Sequence, residues 1–113
     1  MRRSGVLVLA LLPGIAMAGD WEPLEGDALR AALTARTLAY QGGAMQGFFA
    51  DGRTLYETPE PSWGRWRVEG GQYCSQWPPS DLWACYGVER NGIDLRFIAG
   101  DGSVTQGRYI DLN

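Results

Sequence analysis

Downstream of residue 50 the chain alternates apolar and polar side chains in short runs rich in Val, Ile, Thr, Tyr, Phe and Trp. Each run stops at a turn-forming group: Asp51-Gly52, Gly70-Gly71, Pro78 to Asp81, Asn91-Gly92 and Asp101-Gly102. Period-two alternation between such stops predicts consecutive antiparallel hairpins. The turn centres also predict which residues face each other. About Gly70-Gly71, Val68 faces Tyr73 and Trp66 faces Ser75. About Pro79-Ser80, Trp77 faces Leu82, Gln76 faces Trp83 and Cys74 faces Cys85. About Asn91-Gly92, Val88 faces Leu95 and Tyr86 faces Phe97. Together these pairings put Trp66, Val68, Tyr73, Trp77, Leu82, Ala84, Tyr86, Val88, Leu95 and Phe97 on one side of the sheet. Arg65, Arg67, Glu69, Cys74, Gln76, Trp83, Cys85, Glu89, Asp94, Arg96 and Ile98 fall on the other. A one-residue slip in any hairpin would exchange the faces. Ser75, polar on the core side, needs a hydrogen-bond partner there.

Upstream the pattern changes period. Leu29 and Leu33 lie one helical turn apart with Ala28 and Ala32 beside them, which predicts a short amphipathic helix over Asp27 to Thr34, capped by Gly26 or Asp27. Thr37 to Tyr40 reads as a strand, Gly42-Gly43 as a turn, and Ala44 to Ala50 with Arg53 to Thr58 as a hairpin. Pro59 to Pro61 is expected to break the sheet before Trp63, and Ser103 to Ile110 is the last strand. The fold class is therefore mainly β: a small antiparallel meander closing into a lipocalin-like barrel of about eight strands, with one short N-terminal helix plugging an end.

The first 18 residues carry a different signal. Arg2 and Arg3 precede the apolar stretch Val6 to Ile15, and Ala16-Met17-Ala18 offers small residues for cleavage before Gly19. This is the pattern of a signal peptide. Residues 1–18 are read as that leader and 19–113 as a single barrel-like domain, periplasmic or secreted, with no membrane span after cleavage. Export also gives the two cysteines a role. Facing each other across adjacent strands, Cys74 and Cys85 are expected to form a disulfide rather than a redox pair, which would favour Cys-x-x-Cys spacing.

Composition narrows the function classes. All ten basic residues are arginines and there are thirteen acids, so the chain is net −3. No clustered basic patch is visible, which argues against nucleic-acid binding. The absence of His and Lys removes the commonest general base, Schiff-base chemistry and the commonest metal ligand. Asp51, Asp81, Asp94 and Asp101 are left as carboxylates for acid-base work or calcium, but each sits in or beside a turn, where Asp serves its own backbone. No catalytic, cofactor-binding or metal-ligating residue is assigned, and no cofactor is expected. The five Trp, five Tyr and three Phe are expected to fill the barrel interior. Trp83 is the exception, an aromatic placed on the polar face. With Gln76, Arg65 and Trp63 it forms a candidate surface for a protein partner in the envelope.

The run Trp63-Gly64-Arg65-Trp66-Arg67-Val68, with Cys74-Ser75-Gln76-Trp77, Cys85-Tyr86 and Asp101-Gly102, resembles a set of short exported proteobacterial proteins with no assigned activity. Their shared pattern is G-x-W-x-V, C-x-x-W, a second Cys before an aromatic, and a late D-G. The resemblance implies a fold and a compartment. A reductase label attached to such proteins lacks support in this chain, which has no G-x-G-x-x-G after a strand and no alternating β and α units. The expected function is that of an exported, non-catalytic protein-binding or envelope-accessory module. The alternatives are a carrier of a small apolar ligand held in the barrel and, least supported, an enzyme.

Overall fold

The computed structural model describes residues 20–111, so the leader assigned to residues 1–18 lies outside the described residues. In chain order the elements are β1 (Glu22–Leu24), α1 (Gly26–Leu33), β2 (Arg36–Tyr40), β3 (Met45–Phe48), β4 (Arg53–Glu57), β5 (Pro61–Glu69), β6 (Gln72–Gln76), β7 (Trp83–Asn91), β8 (Asp94–Ile98) and β9 (Val104–Tyr109). Strands β2 to β9 form an antiparallel meander that closes when β9 pairs with β2, giving an eight-stranded barrel. Closure leaves these strands no long exposed edge. β1 was not apparent from the sequence. It extends the barrel wall by pairing with β7 from Val88 to Arg90, next to the segment Trp83 to Tyr86 that pairs with β6.

The register predicted about Gly70-Gly71 is observed, Val68 facing Tyr73 and Trp66 facing Ser75, and that about Pro79-Ser80 is observed in two of its three pairs, Cys74 facing Cys85 and Gln76 facing Trp83. The third is displaced by two residues. Asn91 pairs with Asp94 across Gly92-Ile93, so Val88 faces Phe97 and Arg90 faces Leu95. An even shift preserves which side chains point inward, and for that reason the predicted core face survives. Two expected core residues do not. Pairing between β6 and β7 stops at Gln76 and Trp83, so Trp77 and Leu82 never meet. Leu82 is 76% exposed, and Ala84 is exposed on a part of β7 that β8 does not reach. The sheet also resumes earlier than expected, at Pro61 opposite Glu57. A first strand residue tolerates the missing N–H of proline.

The helix begins at Gly26 with Glu25 in the cap position, and the Glu25 side chain makes no capping hydrogen bond. Neither Gly26 nor Asp27 is the cap; Asp27 sits in the first turn, where its charge favours the helix dipole. Leu29 and Leu33 are fully buried at one end of the barrel. There they join Leu38, Phe48, Trp66, Val88 and Leu95 in one cluster. The Trp66 indole N–H donates to the Phe49 carbonyl at 2.9 Å, and the Tyr109 hydroxyl donates to the Ala32 carbonyl at 2.6 Å. The helix end of the barrel is thus a packed, hydrogen-bonded floor.

The two Asp-Gly turns share one construction. Asp51 accepts the Arg53 N–H at 3.0 Å and Asp101 the Ser103 N–H at 2.9 Å. The following Gly52 and Gly102 take φ of 92° and 88°. This is the three-residue hairpin loop, whose third position needs a left-handed residue. Those backbone N–H groups hold both carboxyls below the ordinary Asp range. Asp94 pairs with Arg108 at 2.9 Å, so these three acids serve turns and walls.

The seam where β9 meets β2 carries the acid-sensitive contact. Asp111 accepts from the Arg36 guanidinium at 3.2 Å and from the Thr37 N–H at 2.8 Å, while Arg36 also lies 3.7 Å over the Tyr109 ring. Desolvation alone would raise the Asp111 carboxyl, but the hydrogen bonds from Arg36 and Thr37 outweigh it and hold it below the usual range. A depressed folded-state pKa gives stability that is present above the unfolded value of about 3.9 and is lost as pH falls through the folded value. Melting temperatures followed downward from neutral pH should therefore fall more steeply in the native protein than in Asp111→Asn. Equal slopes would mean that the seam contributes nothing.

Candidate functional site

Opposite the helix floor the barrel is open. Its mouth leads into a cavity of about 500 Å³ lined by Tyr40, Gln46, Tyr56, Ser62, Trp63, Tyr73, Ser75, Trp77, Pro78, Tyr86, Phe97 and Thr105. The expectation that aromatic side chains fill the interior is therefore met only at the helix end. The physical reason lies in how two of the aromatics are seated. A β-carbon at Gly64 would stand 2.6 Å from Trp77 Cε3, and one at Gly107 would stand 2.9 Å from Tyr40 Cε1. Each ring packs directly against a wall position that has no side chain, and both rings line the cavity. Gly64 and Trp77 both belong to the sequence pattern described above, and here they form one contact.

Polar groups fix the cavity floor. Gln46 is buried and its amide is fully used: Oε1 accepts from the Tyr40 hydroxyl at 2.6 Å, and Nε2 donates to Thr54 Oγ1 at 2.9 Å and to Tyr73 Oη at 3.2 Å. Thr54 in turn donates to the Gly47 carbonyl at 2.7 Å. A buried network of this kind holds its rings in place. Ser75 finds the partner it needs in the Trp77 indole N–H, at 3.2 Å. Burial pushes the Tyr40 phenol far above its ordinary pKa, with Tyr73, Tyr56 and Tyr86 acting in the same direction. Burial also raises Tyr73, against hydrogen bonds from Ser75 and Gln46 that oppose the shift. Both phenols are neutral at physiological pH.

The tyrosine and phenylalanine rings form a continuous wall. Tyr40 stands 6.0 Å from Tyr56 and 6.3 Å from Phe97, while Tyr73 stands 6.0 Å from Tyr86 and 5.3 Å from Phe97. Tyr56 meets Trp77 edge-on at 5.9 Å. Among the described residues, the hydroxyls of Tyr56, Tyr86, Ser62 and Thr105 make no hydrogen bond to another side chain or to backbone. The lining contains no charged residue. Such a chamber can stack flat apolar groups and offer hydroxyls at fixed points, but it holds no acid-base pair.

Three of the four residues singled out for surface recognition form one row on the outer wall, Gln76 being the cross-strand partner of both Arg65 and Trp83, and the fourth, Trp63, lies two residues from Arg65 on the same face of β5, toward the mouth. Trp63, 49% exposed, lines the mouth and packs on Phe49 at 5.7 Å. Arg65 is exposed and lines a shallow cleft beside the mouth. Trp83 and Gln76 lie near the disulfide on the outer wall. Trp83 is half-buried with the Arg67 guanidinium 3.9 Å over its ring, and Gln76 donates to the Asp81 carbonyl at 3.1 Å. Cys74 and Cys85 are bonded, with Cα atoms 4.0 Å apart. Glu69 reaches within 4.8 Å of the sulfurs, but bonded sulfurs offer no thiolate to a metal.

Tyr40, Tyr56, Gln46, Ser62 and Thr105 were not anticipated as site residues. Alternation along Ala44 to Ala50 does place Gln46 on the same face as Phe48, and a polar side chain at an inward position was the available signal. No family model, curated protein or solved structure matches the chain.

Proposed function

We propose that this protein is a non-catalytic binding protein that holds a small organic ligand in the open half of its barrel, in the manner of a lipocalin. The observation that carries the reading is the cavity of about 500 Å³, aromatic-walled and free of charged residues, above a packed floor. Its size lies within the range of about 300–1,000 Å³ usual for small-molecule sites, which are largely apolar with a few placed polar groups. An exported location agrees with the Cys74–Cys85 disulfide and with the leader pattern at residues 1–18. It also agrees with the resemblance to short exported proteobacterial proteins. Recognition of a protein partner through Trp83, Gln76, Arg65 and Trp63 has less support, because Arg67 stacks on the Trp83 ring and Asp81 engages the Gln76 amide.

The test is titration with phenylnaphthylamine, a neutral probe that fluoresces when it leaves water. The folded protein should bind it saturably at one site. Thr105 is exposed at the mouth and its register partner is Phe97, so Thr105→Trp should fill the opening and weaken binding by at least about tenfold with the fold retained. No saturable binding, or binding indifferent to Thr105→Trp, would overturn the proposal.

A further inference from the structure

The uncharged cavity and the charged surface beside it are joined at the lip. The cleft next to the mouth, about 270 Å³, is lined by Arg53, Trp63, Gly64, Arg65 and Pro78, and it shares Trp63 and Pro78 with the cavity. Arg53 and Arg65 are directly opposed on β4 and β5. Like charges facing each other across strands are destabilising. Arg53 is neutralised by Asp51 at 2.9 Å and lies 5.0 Å over the Trp63 ring. Arg65 is exposed and, among the described residues, takes part in none of the ion pairs.

From this juxtaposition, and resting on the cavity reading above, we infer that the ligand is an amphiphilic organic anion. Its flat apolar body lies among the tyrosines and Trp77, and its single anionic group sits at the lip on Arg65. The inference follows from where a charge can go. An anionic group carried into the cavity would meet no cation there and would be buried unpaired, at high cost. At the lip it stays partly in water and meets a guanidinium suited to carboxylate or phosphate oxygens, the one of the opposed pair that has no ion-pair partner among the described residues. The chain as a whole is acidic, net −3, so general attraction of anions does not produce this arrangement and a local contact must.

Two probes sharing one ring system test it: phenylnaphthylamine, which is neutral, and anilinonaphthalene sulfonate, which adds a single anionic group. Arg65→Gln, an exposed change, should weaken the sulfonate about fivefold, as expected for one partly exposed charge contact, and leave the neutral probe's affinity unchanged. The native protein's affinity for the sulfonate should also fall as salt is raised, and that for the neutral probe should not. Equal effects of Arg65→Gln on both probes, or none on the sulfonate, would overturn the anionic assignment while the cavity reading stood. Failure of the neutral probe to bind at all would remove the cavity reading, and this inference with it.

Discussion

Replacing Phe48 by alanine should lower the stability of the folded protein by about 3–5 kcal/mol, the range for truncating a fully buried aromatic side chain. Phe48 is 1% exposed and meets Trp66 edge-on at 5.7 Å and Tyr73 edge-on at 5.8 Å. Its ring therefore ties the helix floor to the cavity wall, and the space left by truncation is surrounded by rings and strands that cannot collapse into it. Leu82→Ala is the matched control: 76% exposed in a loop, it should change stability by less than about 0.5 kcal/mol. Urea melts of the two variants decide it. A loss below about 1 kcal/mol at Phe48 would mean that the floor is not the stabilising centre.

Removing the disulfide with Cys74→Ala and Cys85→Ala together should cost about 3 kcal/mol in the chain-entropy account of a short loop. The bond spans a sequence separation of 11, across the Pro78 to Asp81 turn. Cys74 is fully buried although it lies on the outer wall. Arg67 is its cross-strand neighbour and stacks on Trp83, so the double substitution also leaves a gap beneath that stacked pair. The denaturant midpoint should fall in the variant, and reduction of the native protein should reproduce the fall. Identical midpoints with and without the bond would show that the hairpin register holds without a staple.

The hairpins were readable because glycine and proline mark turns locally and period-two alternation marks faces. Gly70-Gly71 and the Pro78 to Asp81 turn located their strands to the residue. The Asn91-Gly92 hairpin was displaced because its turn uses Gly92 and Ile93; parity, and with it the core face, survived the error. β1 left no trace, since three residues including Pro23 show no period. The cavity was not legible for a different reason. Alternation says that Tyr40, Tyr56 and Trp77 point inward, but not whether their rings cross the barrel or lie along its wall. That depends on Gly64 and Gly107, which meet Trp77 and Tyr40 only once the strands have paired. The Arg53–Arg65 opposition likewise exists only through the β4–β5 register, for which Pro59 to Pro61 gave no clear turn centre.

The most direct test of the central claim is the position of a bound neutral ligand, read from intermolecular nuclear Overhauser effects between phenylnaphthylamine and assigned side chains. The cavity account predicts contacts to the rings of Tyr40, Tyr56, Tyr86 and Phe97 and none to Trp83. Contacts confined to Trp83 and the outer wall, with the tyrosine rings undisturbed, would contradict it.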